Sequence, residues 1–254
     1  MRIREILKGD SKVLNIYFTA GYPHLNDTEE ILMALDKAGV QMAEVGIPFS
    51  DPLADGPVIQ ASSLKAIQNG ITLKKIFEQL QQSKGKHQVS TVLMGYINSV
   101  LQYGVEAFLK SCQEVGVEAV IIPDLSLEIY ERSYQQLFEQ YGVALVFLVT
   151  PQTEEARIRK IDDLSKAFIY VVSTSSTTGN QDRKVEDATA YLNRIAAMNL
   201  KTPTMVGFNI KDKATFQLAT QNHQGGIIGS AFVKDLNEED LSASISSFIQ
   251  KVLS

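Results

Sequence analysis

Cysteine, long apolar runs and an excess of charge are all scarce in this sequence. The 254 residues include one cysteine, Cys112, so a disulfide framework cannot form and a reducing compartment is expected. Cys112 is interpreted as a small buried hydrophobic residue. No run approaches the roughly 18 apolar residues of a membrane span. The charged segment from Met1 to Asp10 is not typical of a secretory signal. A soluble, cytoplasmic protein is therefore predicted.

Several kinds of functional motif are also missing. His24, His87 and His223 are far apart in the sequence and lack the spacing of metal ligands. No Gly-x-Ser-x-Gly segment, P-loop or dinucleotide fingerprint occurs. The formal net charge of −5 argues against a nucleic-acid surface. No lysine stands at the end of a strand-like run, which argues against an aldolase that works through a Schiff base.

Short apolar runs alternate with segments of helical period along the whole chain, and this alternation predicts a parallel sheet. Eight pairs within a length close to the ~250 residues typical of the fold predict a closed (β/α)8 TIM barrel. Strands are predicted at Leu14–Thr19, Met42–Val45, Val89–Met94, Ala119–Ile122, Ala144–Val149, Phe168–Val172, Thr204–Val206 and Gly226–Ile228. Helices are predicted at Thr28–Ala38, Val58–Asn69, Val105–Val115, Leu127–Gln140, Glu154–Leu164, Val185–Met198, Lys211–Thr220 and Glu238–Val252.

Two further segments have helical character and fall outside the eight pairs. Ile3–Leu7 precedes the first strand and is expected to close the bottom of the barrel. Leu73–Gln82 adds a helix before the third strand. No linker or low-complexity tract divides the chain. Residues 1–254 are therefore expected to form a single catalytic barrel domain.

The segment from Met42 to Pro57 carries the most chemical information. It starts as a strand and becomes a loop rich in proline and glycine, so Glu44 lies near the strand end and Asp55 on the loop. Barrel enzymes place their chemistry on these strand-end loops. A carboxylate that faces inward is costly unless it is paired or used. From the residues alone, Glu44 fits a structural buried acid as well as a proton-transfer group. Asp55 fits ordinary turn chemistry.

Later strand ends offer residues that could bind an anion or cover a site. The sixth predicted strand ends near Tyr170 and leads into a run of small polar residues, 173–180, which fits either a lid or an ordinary surface loop. The last two loops contain Gly207-Phe208 and Gly229-Ser230. Barrels often bind phosphate between these two loops, because glycine lets the backbone N–H groups approach an anion.

The sequence of residues 44–57, E-V-G-I-P-F-S-D-P-L-A-D-G-P, closely resembles the signature of the tryptophan synthase α subunit family. The resemblance extends over nearly the whole chain and includes Pro123-Asp124-Leu125. It implies that Glu44 and Asp55 are catalytic. It also implies a set of substrate-binding residues on the later loops: Tyr170, Thr178, Gly179, Gly207, Phe208, Gly229 and Ser230. The sequence departs from the family pattern at Ser176 and Asn209, where glycine is usual.

The resemblance further implies a carbon–carbon lyase reaction in tryptophan biosynthesis. Indole-3-glycerol phosphate would be cleaved by a retro-aldol reaction to indole and glyceraldehyde 3-phosphate, with no cofactor in this chain. Indole would pass to a β subunit that uses pyridoxal phosphate, within an α2β2 heterotetramer. Two alternatives stay open at this point. One is another phosphate-binding barrel enzyme of a related pathway. The other is a non-catalytic barrel that binds a partner and a phosphorylated ligand.

For the reaction that the resemblance implies, the settings of the two acids indicate how they would divide the chemistry. Cleavage requires a proton on carbon 3 of the indole ring, which makes the ring cationic. Asp55 is expected to stabilise this cation from near the ring N–H group. Glu44 is expected to exchange protons with carbon 3 and the glycerol hydroxyl. Its apolar neighbours in the strand should raise its pKa toward a useful value.

Overall fold

Eight parallel strands close into a barrel in the computed structural model, which describes residues 1–52, 55–172, 181–207 and 210–254. Each strand pairs with the next in chain order, and the last pairs with the first. This topology confirms the predicted (β/α)8 barrel. The strands are β1 Val13–Thr19, β2 Met42–Gly46, β3 Ser90–Met94, β4 Ala119–Ile121, β5 Ala144–Val149, β6 Ile169–Val172, β7 Thr204–Gly207 and β8 Gly225–Ile228.

The strands are buried on both faces, which explains why they appear in the sequence as nearly continuous apolar runs. In β1, Leu14, Ile16 and Phe18 point outward into the hydrophobic layer between the sheet and the helices. Val13 points inward and contributes to a second apolar layer inside the barrel. Asn15 also lies in this strand and is completely buried. The alternation therefore assigns every second position to the barrel interior.

Helices surround the sheet and carry the connections between strands. Within the described ranges, none of them combines the length and apolar character that crossing a bilayer requires. Their bounds are α1 Arg2–Ile6, α2 Thr28–Lys37, α3 Pro57–Gln68, α4 Leu73–Ser83, α5 Ile97–Tyr103, α6 Val105–Val115, α7 Leu127–Ile129, α8 Gln135–Tyr141, α9 Glu155–Leu164, α10 Gln181–Ala197, α11 Lys213–Thr220, α12 Ser230–Asp235 and α13 Leu241–Leu253. A π-helical segment, Tyr130–Tyr134, joins α7 to α8.

Both extra helices predicted from the sequence are present. α1 lies before β1, and its Ile3 is fully buried among the apolar residues inside the barrel. The backbone N–H groups of Arg2 and Ile3 donate to the two carboxylate oxygens of Glu118, at 2.9 and 3.0 Å. These bonds satisfy N–H groups that a helix start leaves unpaired. α4 occupies Leu73–Ser83 as expected.

Three segments differ from the sequence prediction. α12, Ser230–Asp235, follows β8 and was not predicted. No helix was predicted between the strand Val89–Met94 and the helix Val105–Val115, but α5 occupies this segment. The backbone N–H of Ile97 donates to Asp124 Oδ1 at 2.9 Å, and Gly104, with φ of 91°, separates α5 from α6. The segment 127–140, expected as one regular helix, contains the π-helical turn. There the buried Tyr130 ring lies edge-on to Phe138, with centroids 5.3 Å apart.

Asp162 fixes the connection that leads into β7. Its carboxylate accepts hydrogen bonds from the backbone N–H groups of Lys201 and Thr202, at 3.1 and 2.8 Å, and only 7% of the residue is exposed. The next residue, Asp163, makes a surface ion pair with the Lys201 side chain. Asp162 is thus buried and bonded to the backbone, whereas Asp163 is exposed at the surface.

We expect Asp162→Ala to lower the free energy of unfolding by about 2–4 kcal/mol, because it leaves two backbone donors without their acceptor. Asp163→Ala is the matched control. It should change the free energy by no more than about 0.5 kcal/mol, since exposed ion pairs contribute little. Urea denaturation of both variants measures the difference. Equal effects would contradict the assignment of Asp162 as a structural acceptor.

Candidate active site

A cavity of about 550 Å³ opens at the C-terminal ends of the strands. This is the end at which barrel enzymes place their catalytic groups. Its walls combine carboxylates and phenols on one side with glycines and a lysine on the other. The lining residues are Tyr17, Glu44, Asp55, Gly56, Ile59, Met94, Pro123, Leu148, Tyr170, Val172, Gly207, Ile210, Lys211, Ile227, Ile228, Gly229, Ser230 and Ala231.

Glu44 faces the barrel interior because the alternation of β2 turns Met42, Glu44 and Gly46 inward. The residue is completely buried, and Asn15 Nδ2 donates to Glu44 Oε1 at 2.7 Å. The other oxygen, Oε2, has no hydrogen-bond partner among the described residues. Burial raises the pKa of Glu44 to about 8, against the opposing effect of the Asn15 hydrogen bond. Such a group can both hold and release a proton near neutral pH.

Asp55 lies on the loop after β2, next to Gly56, which caps the start of α3, and is partly buried. Its Oδ2 accepts a hydrogen bond from the Tyr96 hydroxyl at 3.2 Å, and its backbone carbonyl accepts one from Gln60 Nε2 at 2.9 Å. Burial raises the pKa of the Asp55 carboxyl, and the Tyr96 hydrogen bond opposes this increase. Both bonds hold the carboxyl at the cavity wall.

Two tyrosines from different strands share the cavity with the acids. Tyr17 lies in register with Glu44, and a Cβ at Gly46 would come within 2.2 Å of its hydroxyl. A Cβ at Gly207 would likewise lie 2.4 Å from the Tyr170 ring. Burial raises the pKa of both phenols, and the charges of Glu44 and Asp55 raise it further. Both tyrosines are therefore neutral hydrogen-bond donors at the pH at which Glu44 titrates.

The opposite wall of the cavity is formed by the loops after β7 and β8. Gly207 is the last residue of β7 and Ile210 lies on the loop after it, while Gly229 and Ser230 lie where the loop after β8 enters α12. Gly229 precedes α12, whose first residue is Ser230. Lys211 also lines this wall and brings a positive charge to it. No lysine was expected at the end of a strand, and Lys211 reaches the cavity from the loop after β7 instead.

The structure brings together most of the residues singled out in the sequence. Glu44, Asp55, Tyr170, Gly207, Gly229 and Ser230 all line the cavity. Thr178, Gly179 and Phe208, together with Ser176 and Asn209, lie outside the described residues. Among the residues that are described, no three His, Cys, Asp or Glu side chains form a group that could hold a metal ion.

Sequence reasoning missed three side chains that contact the acids or stand beside them. Asn15 bonds Glu44, Tyr96 bonds Asp55, and Tyr17 stands in register with Glu44. One signal was available for Asn15, since asparagine is disfavoured inside strands and needs a partner there. Nothing in the sequence indicated the partner of Tyr96, because the contact depends on two loops meeting in space.

The raised pKa of Glu44 has a consequence for stability. Its ordinary value is 4.5 and its value in the folded chain is about 8. Between these values the folded chain binds a proton that the unfolded chain does not. The stability that Glu44 contributes is therefore complete below the unfolded pKa and is lost as the pH rises through the folded pKa.

Glu44→Gln removes this titration. We expect the urea midpoint of the variant to rise relative to that of the unsubstituted chain as the pH increases from about 5 to about 9. Glu239→Gln, at an exposed position before α13, should show no such trend. A constant difference between Glu44→Gln and the unsubstituted chain over this range would mean that Glu44 is already ionised at pH 5 in the folded state.

Comparisons with known proteins identify the family of the chain. A family profile described as tryptophan synthase alpha chain matches residues 4–252. A relative from Christiangramia forsetii, named tryptophan synthase alpha chain, is 52% identical over 99% of this chain and 98% of its own. The crystal structure of tryptophan synthase subunit alpha from Legionella pneumophila str. Paris superposes with a TM-score of 0.88 at 27% identity, covering 99% of this chain and 96% of that one. A chain from the tryptophan synthase complex of Pyrococcus furiosus gives a TM-score of 0.84 at 30% identity, covering 96% of this chain and 98% of that one. The chain belongs to the tryptophan synthase alpha chain family.

Proposed function

We propose that this chain is a carbon–carbon lyase that cleaves indole-3-glycerol phosphate to indole and glyceraldehyde 3-phosphate. The observation that carries the proposal is one cavity lined by two carboxyl groups in different environments. Glu44 is fully buried, whereas Asp55 is partly buried on a loop. When environments differ in this way, two acids can take different roles in one reaction. Residues 1–254 would act as a single catalytic barrel domain.

Glu44 is proposed as the general acid and base. In its protonated form it gives its proton to carbon 3 of the indole ring. It then accepts the proton of the glycerol hydroxyl next to the breaking bond, as that carbon becomes an aldehyde. The electron pair of the broken carbon–carbon bond returns to the ring, and indole is formed. A pKa of about 8 supports both steps, because neither protonation state is strongly disfavoured.

Asp55 is proposed to stabilise the positive charge on the indole ring. Once carbon 3 is protonated, the ring nitrogen becomes cationic, and a carboxylate beside its N–H group lowers the energy of that state. The hydrogen bond from Tyr96 favours the ionised form of Asp55 and fixes its direction. The reaction needs no redox or electrophilic cofactor in this chain, because protons and electrons balance within the substrate and Glu44.

The phosphate is proposed to bind at the wall made by Gly207, Gly229 and Ser230. Gly207 and Gly229 leave the backbone accessible, and the Ser230 hydroxyl adds a donor. Lys211 lines the same wall and would add a favourable charge interaction with the phosphate. Thr178, Gly179 and Phe208 stay predicted substrate-binding residues on the strength of the family resemblance.

The proposed partner is a tryptophan synthase β subunit, in which pyridoxal phosphate is expected. Similarity to a chain of a tryptophan synthase complex supports this proposal. The helices that follow β3 and β4 expose apolar side chains at the open end of the barrel. Leu101 on α5 is 50% exposed and Ile129 on α7 is 42% exposed, whereas Leu125 is buried. Exposed apolar side chains beside the site fit a docking surface over which indole could pass.

Indole release from indole-3-glycerol phosphate tests the lyase activity. We expect Glu44→Gln to lower the rate by at least ~10²-fold, because it removes the acid and base. Asp55→Asn should lower kcat more than it raises KM, because it weakens stabilisation of the charged state. Asp51→Asn is the control, since Asp51 lies on the same loop but is exposed and does not line the cavity. No indole from the unsubstituted chain, or full activity in Glu44→Gln, would contradict the proposal.

Titration with the β subunit tests the docking surface. We expect the unsubstituted chain to form a complex that raises the rate of indole release, and glyceraldehyde 3-phosphate to tighten it. Leu101→Glu should weaken binding by about tenfold or more, because a charge replaces an apolar contact. Leu218→Glu is the control, on α11, where Leu218 is 40% exposed. Equal effects of the two variants in sedimentation measurements would argue against a docking surface at α5.

A further inference from the structure

One polar side chain lies inside the barrel below the cavity. Asn15 is completely buried on β1 and does not belong to the residues that line the cavity. A buried amide is costly unless it is hydrogen-bonded. Asn15 Nδ2 donates to Glu44 Oε1 at 2.7 Å, across a separation of 29 positions in the sequence. The hydrogen bond of Asn15 is thus made to Glu44, the proposed general acid and base.

The strand register explains why Asn15 can reach Glu44 but not the substrate. Tyr17 is the β1 residue paired with Glu44, whereas Asn15 pairs with Met42 on β2 and with Ile227 on β8. Asn15 therefore occupies the inward-facing layer beneath Tyr17. A molecule in the cavity meets Tyr17 and Glu44 first. Since the described hydrogen bond of its side chain is made to Glu44, an effect of Asn15 on the reaction is expected to act through Glu44.

We propose that Asn15 is a positioning residue that anchors Glu44 Oε1 and leaves Oε2 as the oxygen that exchanges protons with the substrate. The inference rests on the proposed role of Glu44. Two observations support it. Oε1 is held by a short hydrogen bond to a fully buried donor, while Oε2 is buried without a hydrogen-bond partner among the described residues. A carboxyl group held through one oxygen keeps a fixed direction toward the reacting atoms.

The groups that face Glu44 decide how its titration depends on Asn15. Tyr17 from β1 and Tyr170 from β6 are neutral phenols. Asp55, from the loop after β2, is the other acid of the cavity, and its ionised form opposes ionisation of Glu44. Within the described part of the chain, Asn15 is the side chain whose hydrogen bond favours the carboxylate form of Glu44. Loss of that donor should raise the pKa of Glu44 further.

Asn15→Leu tests the proposal, because leucine has a similar size and no donor. We expect kcat for indole release to fall about tenfold or more, with KM changed less than about twofold, since Asn15 does not touch the substrate. The limb of the pH–rate profile set by Glu44 should move to higher pH by about one unit or more. Asn15→Asp keeps the shape of the side chain and replaces the donor with a carboxyl group, so the limb should move in the same direction.

An NMR titration tests the effect of Asn15 on Glu44 without measuring activity. Glutamate labelled with carbon-13 at the carboxyl group allows the titration of Glu44 to be followed by NMR, with Glu44→Gln to assign its signal. The same upward shift should appear in both Asn15 variants. Thr204→Val is the control, because it removes another buried hydrogen bond, from Oγ1 to His223 Nδ1, at the other end of the barrel. It should leave the Glu44 titration unchanged.

Three results would count against these ideas, and they can be told apart. No release of indole by the unsubstituted chain would overturn the proposed function. An unshifted Glu44 titration in both Asn15 variants of an active enzyme would overturn the role of Asn15. A shift of the same size in Thr204→Val would also overturn it, because the effect would then follow from general loosening of the barrel.

Discussion

The site depends on keeping the carboxyl group of Glu44 in the dry interior of the barrel. Removal of a carboxylate from water is costly, so a buried acid becomes neutral or acquires a partner. Here a single amide, from Asn15, offsets part of the cost, and the rest appears as a raised pKa. With a pKa of about 8, Glu44 is therefore able to occupy both protonation states near neutral pH. A stronger set of donors would fix it as a carboxylate and remove its ability to deliver a proton.

The two aromatic rings beside Glu44 are part of the same arrangement. Tyr17 and Tyr170 fill space that a side chain at Gly46 or Gly207 would need. Their hydroxyls add polarity without adding charge, since both phenols stay protonated. Asp55 stands in a different position, on a loop at the cavity wall, where a phenol from the next loop supports its ionised form. The barrel thus places one acid in the fully buried interior and the other on a partly buried loop.

The barrel and the position of the two acids at one strand end could both be predicted from the sequence, but for different reasons. The barrel follows from alternating apolar runs and helical segments, since each strand end is a local feature that periodicity reveals. Glu44 and Asp55 were identified through their resemblance to a family, because from the residues alone a structural acid was equally consistent with Glu44. Contacts between segments that are distant in the sequence could not be predicted. The helix α5 depends on Asp124, which belongs to the next loop, and no local pattern indicates such a cap.

The closed floor of the barrel has a consequence for proton exchange. α1 seals the end opposite the cavity, with Ile3 buried among apolar side chains and Glu118 holding the first turn in place. Among the described residues, Glu44 lines the cavity, and the apolar side chains packed on α1 lie at the opposite end of the barrel. A substrate bound in the cavity would separate Glu44 from bulk water. In the proposed mechanism, a proton that Glu44 takes from the substrate hydroxyl would remain with the enzyme until a product leaves, and in the reverse direction it would be available for return to the oxygen it came from. The proposed mechanism therefore predicts internal return of a hydrogen isotope.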